Sequence, residues 1–520
     1  MVSVVDVLGT VDRQGSLLGV ESLLSALFEG DDSSFHARMA AHGNEIISDD
    51  DFADCYSRGL GRPSIPPSLL MKTVLLQLRD DVSDREAARR AAKDLDWKRA
   101  LGLKADEVPF HHTSLSVFRT RLLVNDADER VLRSTLERAV EAGLFPKKVM
   151  AIVDSTGVMG AAAVADTYTL LRQAIAKLGA AAGDRLTKRL RRAVNRLCVN
   201  KARIDWADAT ARRSHLGVLV DMAKSVLAAT AADDDLAEAR DLLVRIIDQD
   251  IDEDPGDGAG AGICQGVASD RVISVVDPQM RHGRKSHSRR IDGYKNHLLT
   301  DHDSELILGV AVTPANDPDG PQAAPLVAAA LDVGVAVREV LGDTAYGDGD
   351  TRVAVEALGA KVTAKTQPPA TTGKFLKTDF VIDPDAPSAT CPARHVTTDW
   401  KWVADNKGRR VVLLRFGERC QGCALRQGCT TNPNGRSLTL NFHESRLQAA
   451  RAEQARPSTR NKLRRRALIE RKLAETKRHG AGKARYRGTR KVLLQQRLTA
   501  SLVNLKRLFT IDPTFGPASA

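Results

Sequence analysis

The spacing of apolar residues predicts helices in the first part of the chain and a buried strand after them. Residues 68–78 and 113–123 repeat apolar side chains at helical spacing, and between them Ser83 and Glu86 form a capping box that starts a further helix. The next segment changes character, because a short β-branched run ends at Asp154. This pattern is typical of a buried strand with an acid at its C-terminal end.

A second helical part follows this strand and interrupts the strand pattern. Helical periodicity runs over residues 165–247, and the Gly- and Asp-rich residues 253–262 that come next have the composition of a flexible linker. We therefore predict a helical insertion over residues 160–262.

Strand periodicity returns after the insertion. The predicted strands lie at residues 271–277, 293–301 and 305–313, and the last two are close enough to form a hairpin. A helix is predicted over 321–334, and a short apolar run of Val340 and Leu341 precedes Asp343. Asp154 and Asp343 are thus both predicted at strand C-termini, where open α/β sheets bring their ligands.

The last long helix is predicted to run from Ser458 to Gly480. Arg466, Glu470 and Lys477 lie on it at offsets of four and seven residues, which places them on one face. The order strand, hairpin, helix, strand, helix, with acids at two strand ends and on one helix, is that of an RNase H-like layout. We predict an α/β fold: an RNase H-like mixed sheet with flanking helices, plus an N-terminal helical domain, a helical insertion and a Cys-containing insertion.

These patterns divide the chain into five predicted parts. They are an N-terminal helical DNA-binding domain (1–145), an RNase H-like catalytic core (146–160 and 263–365), the helical insertion (160–262), a Cys-containing insertion (366–455) and a basic C-terminal part of the core that carries Glu470 (456–510).

Charge is concentrated near the C-terminal end of the chain. Residues 451–510 hold 19 Lys and Arg against three carboxylates, a net charge of +16, whereas the whole 520-residue chain carries +11. A local basic surface of this kind binds a polyanion. Only 4% of residues are aromatic, which argues against a platform of stacked aromatics for single strands.

The N-terminal helices carry basic residues that suit a DNA-binding bundle. The candidates for DNA contact there are Arg89, Arg90 and Arg119. A helical oligomerisation or packing domain with solvated charges is the alternative. No apolar run is long enough for a transmembrane helix and no signal peptide is evident, so we expect a cytoplasmic, nucleoid-associated protein without a membrane partner.

Three carboxylates far apart in the sequence are the candidate catalytic residues. Asp154, Asp343 and Glu470 could converge on two Mg²⁺ ions, since Mg²⁺ prefers carboxylates and bridges substrate phosphate. Taken singly, each acid is better explained by an exposed turn or, for Glu470, by a salt bridge to Arg466 one helical turn before it.

The surroundings of these acids resemble the DDE transposases of bacterial insertion sequences, discontinuously from about residue 49 to 510. Asp154-Ser155-Thr156 resembles the D-x-T of the family's first acid, and the four residues from Asp343 to Tyr346 resemble the D-x-(G/A)-(Y/F) of its second.

The third family motif, R-x₃-E-x₆-K, is reproduced by Arg466, Glu470 and Lys477. The weaker matches are DPQMRHGRK (277–285), GYKNH (293–297), ARYRG (484–488) with its Arg485 and Arg487, and NLKRL (504–508). One departure is Leu463, where the family often has a Tyr, and it leaves the cleavage pathway open.

The resemblance implies a function and assigns roles. Asp154, Asp343 and Glu470 would be metal ligands for Mg²⁺, with Mn²⁺ able to substitute, and Arg466 and Lys477 would contact DNA. The protein would bind the terminal inverted repeats of its element, cleave there and join the 3′ ends to target DNA, acting on double-stranded DNA as a homodimer or higher oligomer. The alternatives are a catalytically inactive or domesticated DNA-binding repressor and an RNase H-like nuclease without strand transfer.

Four of the seven cysteines cluster between the second Asp and the Glu. Cys420 and Cys423 have C-x₂-C spacing, with Cys391 before them and Cys429 after them. Such a set could hold Zn²⁺ and stabilise a loop-rich segment with a small core, or the four could be free thiols.

Overall fold

A computed structural model describes most of the chain. The described residues are 28–57, 63–200, 204–256, 260–284, 288–367, 375–405 and 408–512. Residues 257–259 of the predicted linker and Lys285 of the 277–285 motif lie outside them, as do residues 1–27.

Helices form the N-terminal part, as predicted. They are α1 (Phe35–Ile46), α2 (Pro67–Asp80), α3 (Asp84–Lys93), α4 (Leu95–Leu101), α5 (Thr113–Val124) and α6 (Arg130–Glu141). The predicted start at Ser83 is confirmed, because its hydroxyl accepts the Glu86 N–H at 3.2 Å. Helix α2 is buried almost over its whole length and lies at the centre of the bundle.

A mixed sheet forms the next layer. Its strands are β1 (Val149–Met159), β4 (Arg281–Arg284), β5 (Arg290–Asp301), β6 (Ile307–Pro314), β7 (Val337–Leu341) and β8 (Lys361–Thr363). The strand order is β6-β5-β1-β7-β8, with β4 beside the start of β5. Strand β5 is antiparallel to β4, β6 and β1, whereas β1, β7 and β8 are mutually parallel. Together with helix α11 (Ala323–Asp332) this confirms the RNase H-like fold.

Strand β1 is longer than predicted. The prediction that it ends at Asp154 is wrong, because antiparallel pairing with β5 continues from Ala151 to Met159. The parallel neighbour β7 is shorter and pairs with β1 only as far as Ile152. Asp154 therefore lies within a strand but beyond the end of its parallel partner.

The strand predicted over residues 271–277 is absent, and the described segment is irregular. Gln249 provides the reason, since its side-chain amide donates to the carbonyl of Val272 at 3.0 Å and its oxygen accepts the Val272 N–H at 2.8 Å. Val272 and Val275 pack against the helices of the insertion. The apolar run is thus satisfied by helix packing and not by a strand partner.

The helical insertion has a hydrophobic core of its own. It contains α7 (Thr167–Ala182), α8 (Lys188–Val194), α9 (Ala209–Ala229) and α10 (Ala237–Asp250), followed by the short pair β2 (Ile251–Asp252) and β3 (Gly262–Ile263). Val272 and Val275 belong to the same core, so the packed unit extends beyond the predicted end at 262.

The Cys-containing part has two small antiparallel sheets and a small core. Its strands are β9 (Val381–Asp383), β10 (Ser388–Thr390), β11 (Val396–Thr397), β12 (Trp400–Ala404), β13 (Arg410–Arg415) and β14 (Ser437–Leu440). Helix α12 (Gly349–Glu356) lies between β7 and β8 along the chain.

The predicted helix from Ser458 to Gly480 is two helices. After α13 (Glu444–Gln454) come α14 (Pro457–Arg464), α15 (Ala467–Thr476) and α16 (Thr489–Ile511). Helical structure is interrupted at Arg465 and Arg466, between α14 and α15. The helical segment ends at Gly480, whose φ of 86° favours glycine. Arg466 is the N-cap of α15, so the three motif residues do not share one uninterrupted helix.

Helix α16 joins the N-terminal helices to the sheet. Its residues Leu494, Leu498 and Leu502 belong to one continuous hydrophobic cluster that also contains Leu75 of α2 and Val153 of β1. The N-terminal helices and the sheet therefore share a core. Within the described residues, no helix combines the length and the apolar character that crossing a bilayer requires.

Candidate active site

Two of the three acids are brought together by the register of neighbouring parallel strands. Ile152 of β1 pairs with Leu341 of β7, and this is the last pair between the two strands. Asp154 and Asp343 each lie two residues beyond that pair. Because side chains alternate along a strand, both acids continue the side of the sheet on which Ile152 and Leu341 lie.

Asp343 is fixed by the turn that follows β7. Its Oδ1 accepts the N–H of Ala345 at 2.8 Å. The turn needs glycine at 342, because a Cβ there would lie 2.8 Å from the Cβ of Tyr346. The turn therefore holds the acid at the strand end.

Helix α15 brings the third acid to the same side of the sheet. Ile469 and Leu473 pack in one cluster with Ile152 and Leu341. Glu470 follows Ile469 in the first turn of α15 and is exposed. The packing of two apolar residues thus places Glu470 beside the strand ends that carry the other two acids.

Asp154 is the most buried of the three acids, with a side chain 12% exposed. Burial raises its pKa to about 6, and the Asp343 and Glu470 carboxylates add to the rise. The N–H of Ser155, 2.8 Å from Oδ1, and the guanidinium of Arg466 oppose it. The three acids are therefore electrostatic neighbours.

Arg466 pairs with Asp154. Its Nη2 donates to Oδ2 of Asp154 at 3.1 Å. The alternative of a Glu470–Arg466 salt bridge is not found, because no such pair occurs among the residues that the structure describes. Arg466 is the N-cap of α15, and this position directs its side chain toward β1.

The other candidates for DNA contact differ in their surroundings. Lys477, Arg485 and Arg487 are exposed in the basic segment after α15, and Arg89 is exposed on α3. Arg119, however, is buried on α5.

Arg119 and Arg90 have internal partners, which corrects the sequence interpretation for Arg119. Arg119 binds Asp84 and also donates to Gln77 at 3.3 Å, so its charge is used inside the bundle. Arg90 binds Asp80 at 2.8 Å and is half-buried. Neither is therefore included among the phosphate-binding residues proposed below.

A hydrogen-bonded group behind Asp154 was not foreseen from the sequence. The hydroxyl of Ser155 donates to Oδ2 of Asp319 at 3.0 Å, and Lys295 donates to Oδ1 of Asp319 at 2.7 Å. Tyr346 is fully buried beside them, and burial raises its pKa. Asp319 follows the end of β6, and an acid after a strand that runs parallel to β1 is the pattern that could have revealed it.

A cleft of about 920 Å³ lies on the Asp319 side of this group. Residues from the loops after β6 and β7 line it, together with Arg409 and Arg451 of the Cys-containing part. The three acids do not line this cleft, whose nearest part to them is formed by Lys295 and Asp319.

The acids fit Mg²⁺ in donor chemistry, since carboxylates are its preferred ligands in proteins. In their present positions, no group of three or more His, Cys, Asp or Glu side chains within the described residues could hold a metal ion. Arg466 contacts Asp154, so a cation at this carboxylate would compete with the guanidinium.

The four clustered cysteines come together as predicted in position. Cys391, Cys420, Cys423 and Cys429 line one small cavity, together with His395. None of these four forms a disulfide bond, and burial raises the pKa of Cys429, with the other three cysteines contributing. In their present positions these cysteines, like the other described residues, do not form a group of three or more ligands that could hold a metal ion.

Two family models match the chain. A transposase DDE domain matches residues 390–509, which include the cysteine cluster, Arg466 and Glu470, and a transposase domain (DUF772) matches residues 28–121. A search of curated proteins finds no match. The two family matches confirm the resemblance predicted from the sequence and indicate an insertion-sequence DDE transposase.

Proposed function

We propose that this transposase binds the terminal inverted repeats of an insertion sequence, cleaves DNA at the ends and joins the 3′-hydroxyl ends to target DNA. The observation that carries the proposal is the position of Asp154 and Asp343 beyond the last β1–β7 pair, with α15 packed across the same strands. Asp154, Asp343 and Glu470 belong to three segments that are distant in the sequence. A site for phosphoryl transfer needs carboxylates close together to hold its metal ions.

The three carboxylates would hold the metal ions of the reaction. Two Mg²⁺ ions, when bound, activate the attacking oxygen and stabilise the charge on the phosphate and the leaving oxygen. Asp154, with a pKa near 6, is ionised at neutral pH and able to bind a cation. The guanidinium of Arg466, released from Asp154, would then be free to contact a phosphate beside the site.

The same site serves two displacements at phosphorus. In the first, the oxygen of water bonds to the phosphorus and the bond to the 3′ oxygen breaks, which leaves a free 3′-hydroxyl. In the second, that hydroxyl bonds to a target phosphorus and displaces the target's own 3′ oxygen. The carboxylates can act in both because each reaction is an in-line displacement.

The exposed cations after α15 would hold the DNA backbone. Lys477, Arg485 and Arg487 belong to the segment with a net charge of +16. Phosphate contacts of this kind give affinity that depends strongly on salt. We further propose that the DNA complex contains a homodimer or higher oligomer and that the protein associates with the nucleoid.

The test is an assay of cleavage and joining on a labelled duplex that carries the element's terminal repeat, in Mg²⁺ or Mn²⁺. We expect Asp154→Asn, Asp343→Asn and Glu470→Gln each to abolish both products, while Glu238→Gln on the exposed surface of α10 leaves them unchanged. Cleavage that survives all three substitutions would overturn the proposal. Binding of the ends without cleavage by the unmodified protein would favour the repressor, and cleavage without joining would favour the nuclease.

We also propose Zn²⁺ at the cysteine cluster. The N–H groups of His395 and Arg436 lie 3.3 Å from the sulfurs of Cys391 and Cys420, an arrangement that stabilises thiolates. Metal analysis of the purified protein should give one Zn²⁺ per chain, lost in Cys420→Ser. Absence of zinc from the unmodified protein would identify the four residues as free thiols.

A further inference from the structure

Helix α3 presents a row of cations to solvent. Arg85, Arg89 and Lys93 are exposed and lie at i, i+4 and i+8, so they share one face of the helix. The opposite face is buried through Ala87 and Ala91. Arg89 binds Glu86 within the helix, but its side chain is exposed, so a phosphate could replace the carboxylate.

This row continues into the basic segment of the catalytic part. The Nη2 of Arg485 donates to the carbonyl of Val82, two residues before α3, at 3.4 Å. Burial raises the pKa of Asp84, the first residue of α3, but Gln77, Arg119 and, to a smaller extent, Arg485 lower it. Arg487 is exposed two residues further on. The cations of two distant sequence segments therefore form one surface.

The basic segment is attached to the strand that carries Asp154. Residues 482–484 run beside the end of β1, where Met159 donates its N–H to the carbonyl of Gly482 at 3.0 Å and accepts the N–H of Ala484 at 2.8 Å. Strand β1 thus carries Asp154 and, at its end, pairs with the residues that precede Arg485.

Buried ion pairs hold the junction between these parts. Asp128, two residues before α6, is fully buried and binds Arg490 at 2.6 Å and Arg497 at 3.1 Å on α16. The N-terminal helices and the sheet also share one hydrophobic core. The row on α3 and the acids therefore keep a fixed relation within one protomer.

We propose that α3, Arg485 and Arg487 form one phosphate-binding path with the acids of the same protomer, so that each protomer cleaves the DNA end that its own α3 holds. The inference rests on the proposed function and adds to it the side of the protein that receives the end and the protomer that cuts it.

The first test measures end binding by the triple variant Arg85→Ala, Arg89→Ala and Lys93→Ala against a duplex with the terminal repeat. We expect at least tenfold weaker binding and a shallower dependence on salt, by up to about 0.9 in log–log slope for each lost contact. The control is the triple variant Lys188→Ala, Arg189→Ala and Lys224→Ala in the helical insertion, which removes three exposed cations and should bind normally. Normal end binding by the α3 variant would overturn the inference.

The second test mixes two defective proteins. One carries the triple substitution on α3, and the other carries Glu470→Gln. Within one protomer's path neither can cut the end that it holds, so an equimolar mixture should cleave no more than Glu470→Gln alone. Recovery of cleavage in the mixture would overturn the same-protomer path and leave the proposed function standing, whereas cleavage by Glu470→Gln alone would overturn the proposed function itself.

Discussion

Asp154 shows how a single residue carries both a stability cost and a candidate function. Its carboxylate lies in a strand, largely removed from water, beside two further acids and one arginine. Burial raises its pKa to about 6, against about 3.9 in an unfolded chain. Between these two pH values the folded protein binds the extra proton, so stability falls as pH rises through this window.

The first prediction follows from that sign. Asp154→Asn should raise the thermal stability of the protein at pH 7.5, by up to the order of 3 kcal/mol, because the amide removes the cost of a buried charge. Near pH 4 the carboxyl of the unmodified protein is protonated, and the two proteins should differ little. Thermal unfolding of both at the two pH values measures the effect. A difference that is the same at both pH values would contradict the assigned cause.

At the scale of elements, the segment from α14 to α16 departs most from the sequence prediction. Helical spacing predicted one helix for Arg466, Glu470 and Lys477, but periodicity does not show the two-residue break at Arg465 and Arg466 that separates α14 from α15. The same limit affected β1, whose extension beyond Asp154 depends on its partner β5. Elements set by local spacing were predictable, whereas those set by a distant partner were not.

The second prediction concerns the end of this helical segment. Gly480 has a φ of 86°, so Gly480→Ala should destabilise the protein by about 1–2 kcal/mol even though no atom lies within 4 Å of the added methyl group. Gly217 within α9 also has open space around it and no positive φ. Gly217→Ala should therefore stabilise by roughly 0.5–1 kcal/mol, and chemical denaturation compares the two. Equal effects of the two substitutions would show that the backbone angle is not the cause.

At the scale of the molecule, the N-terminal helices and the sheet share one hydrophobic core. The sequence predicted a separate N-terminal domain ending at 145, since charge and periodicity change there, but a shared core cannot be recognised from such changes. The buried Asp128 pairs with two arginines of α16 and strengthens the junction. Burial alone would raise the pKa of Asp128, yet Arg490 and Arg497 lower it.

The third prediction tests that junction. Asp128→Asn should destabilise the protein by about 3–5 kcal/mol, because it leaves two arginines without their buried carboxylate. Asp126 binds the same Arg490 at 2.8 Å, but its side chain is 86% exposed. Asp126→Asn should cost less than about 1 kcal/mol, and thermal unfolding of the two variants measures the difference. A small effect of Asp128→Asn would mean that the junction does not depend on this ion pair.

The meeting of Asp154, Asp343 and Glu470 at one site is the central claim, and metal binding without DNA tests it most directly. Electron paramagnetic resonance can titrate Mn²⁺ into the unmodified protein, the three variants Asp154→Asn, Asp343→Asn and Glu470→Gln, and the control Glu238→Gln. Each of these three variants should bind Mn²⁺ at least roughly tenfold more weakly, since even the loss of an outer-shell partner costs that much affinity. Binding of duplex DNA by Glu470→Gln should stay largely intact. Unchanged Mn²⁺ affinity in these three variants would contradict the claim.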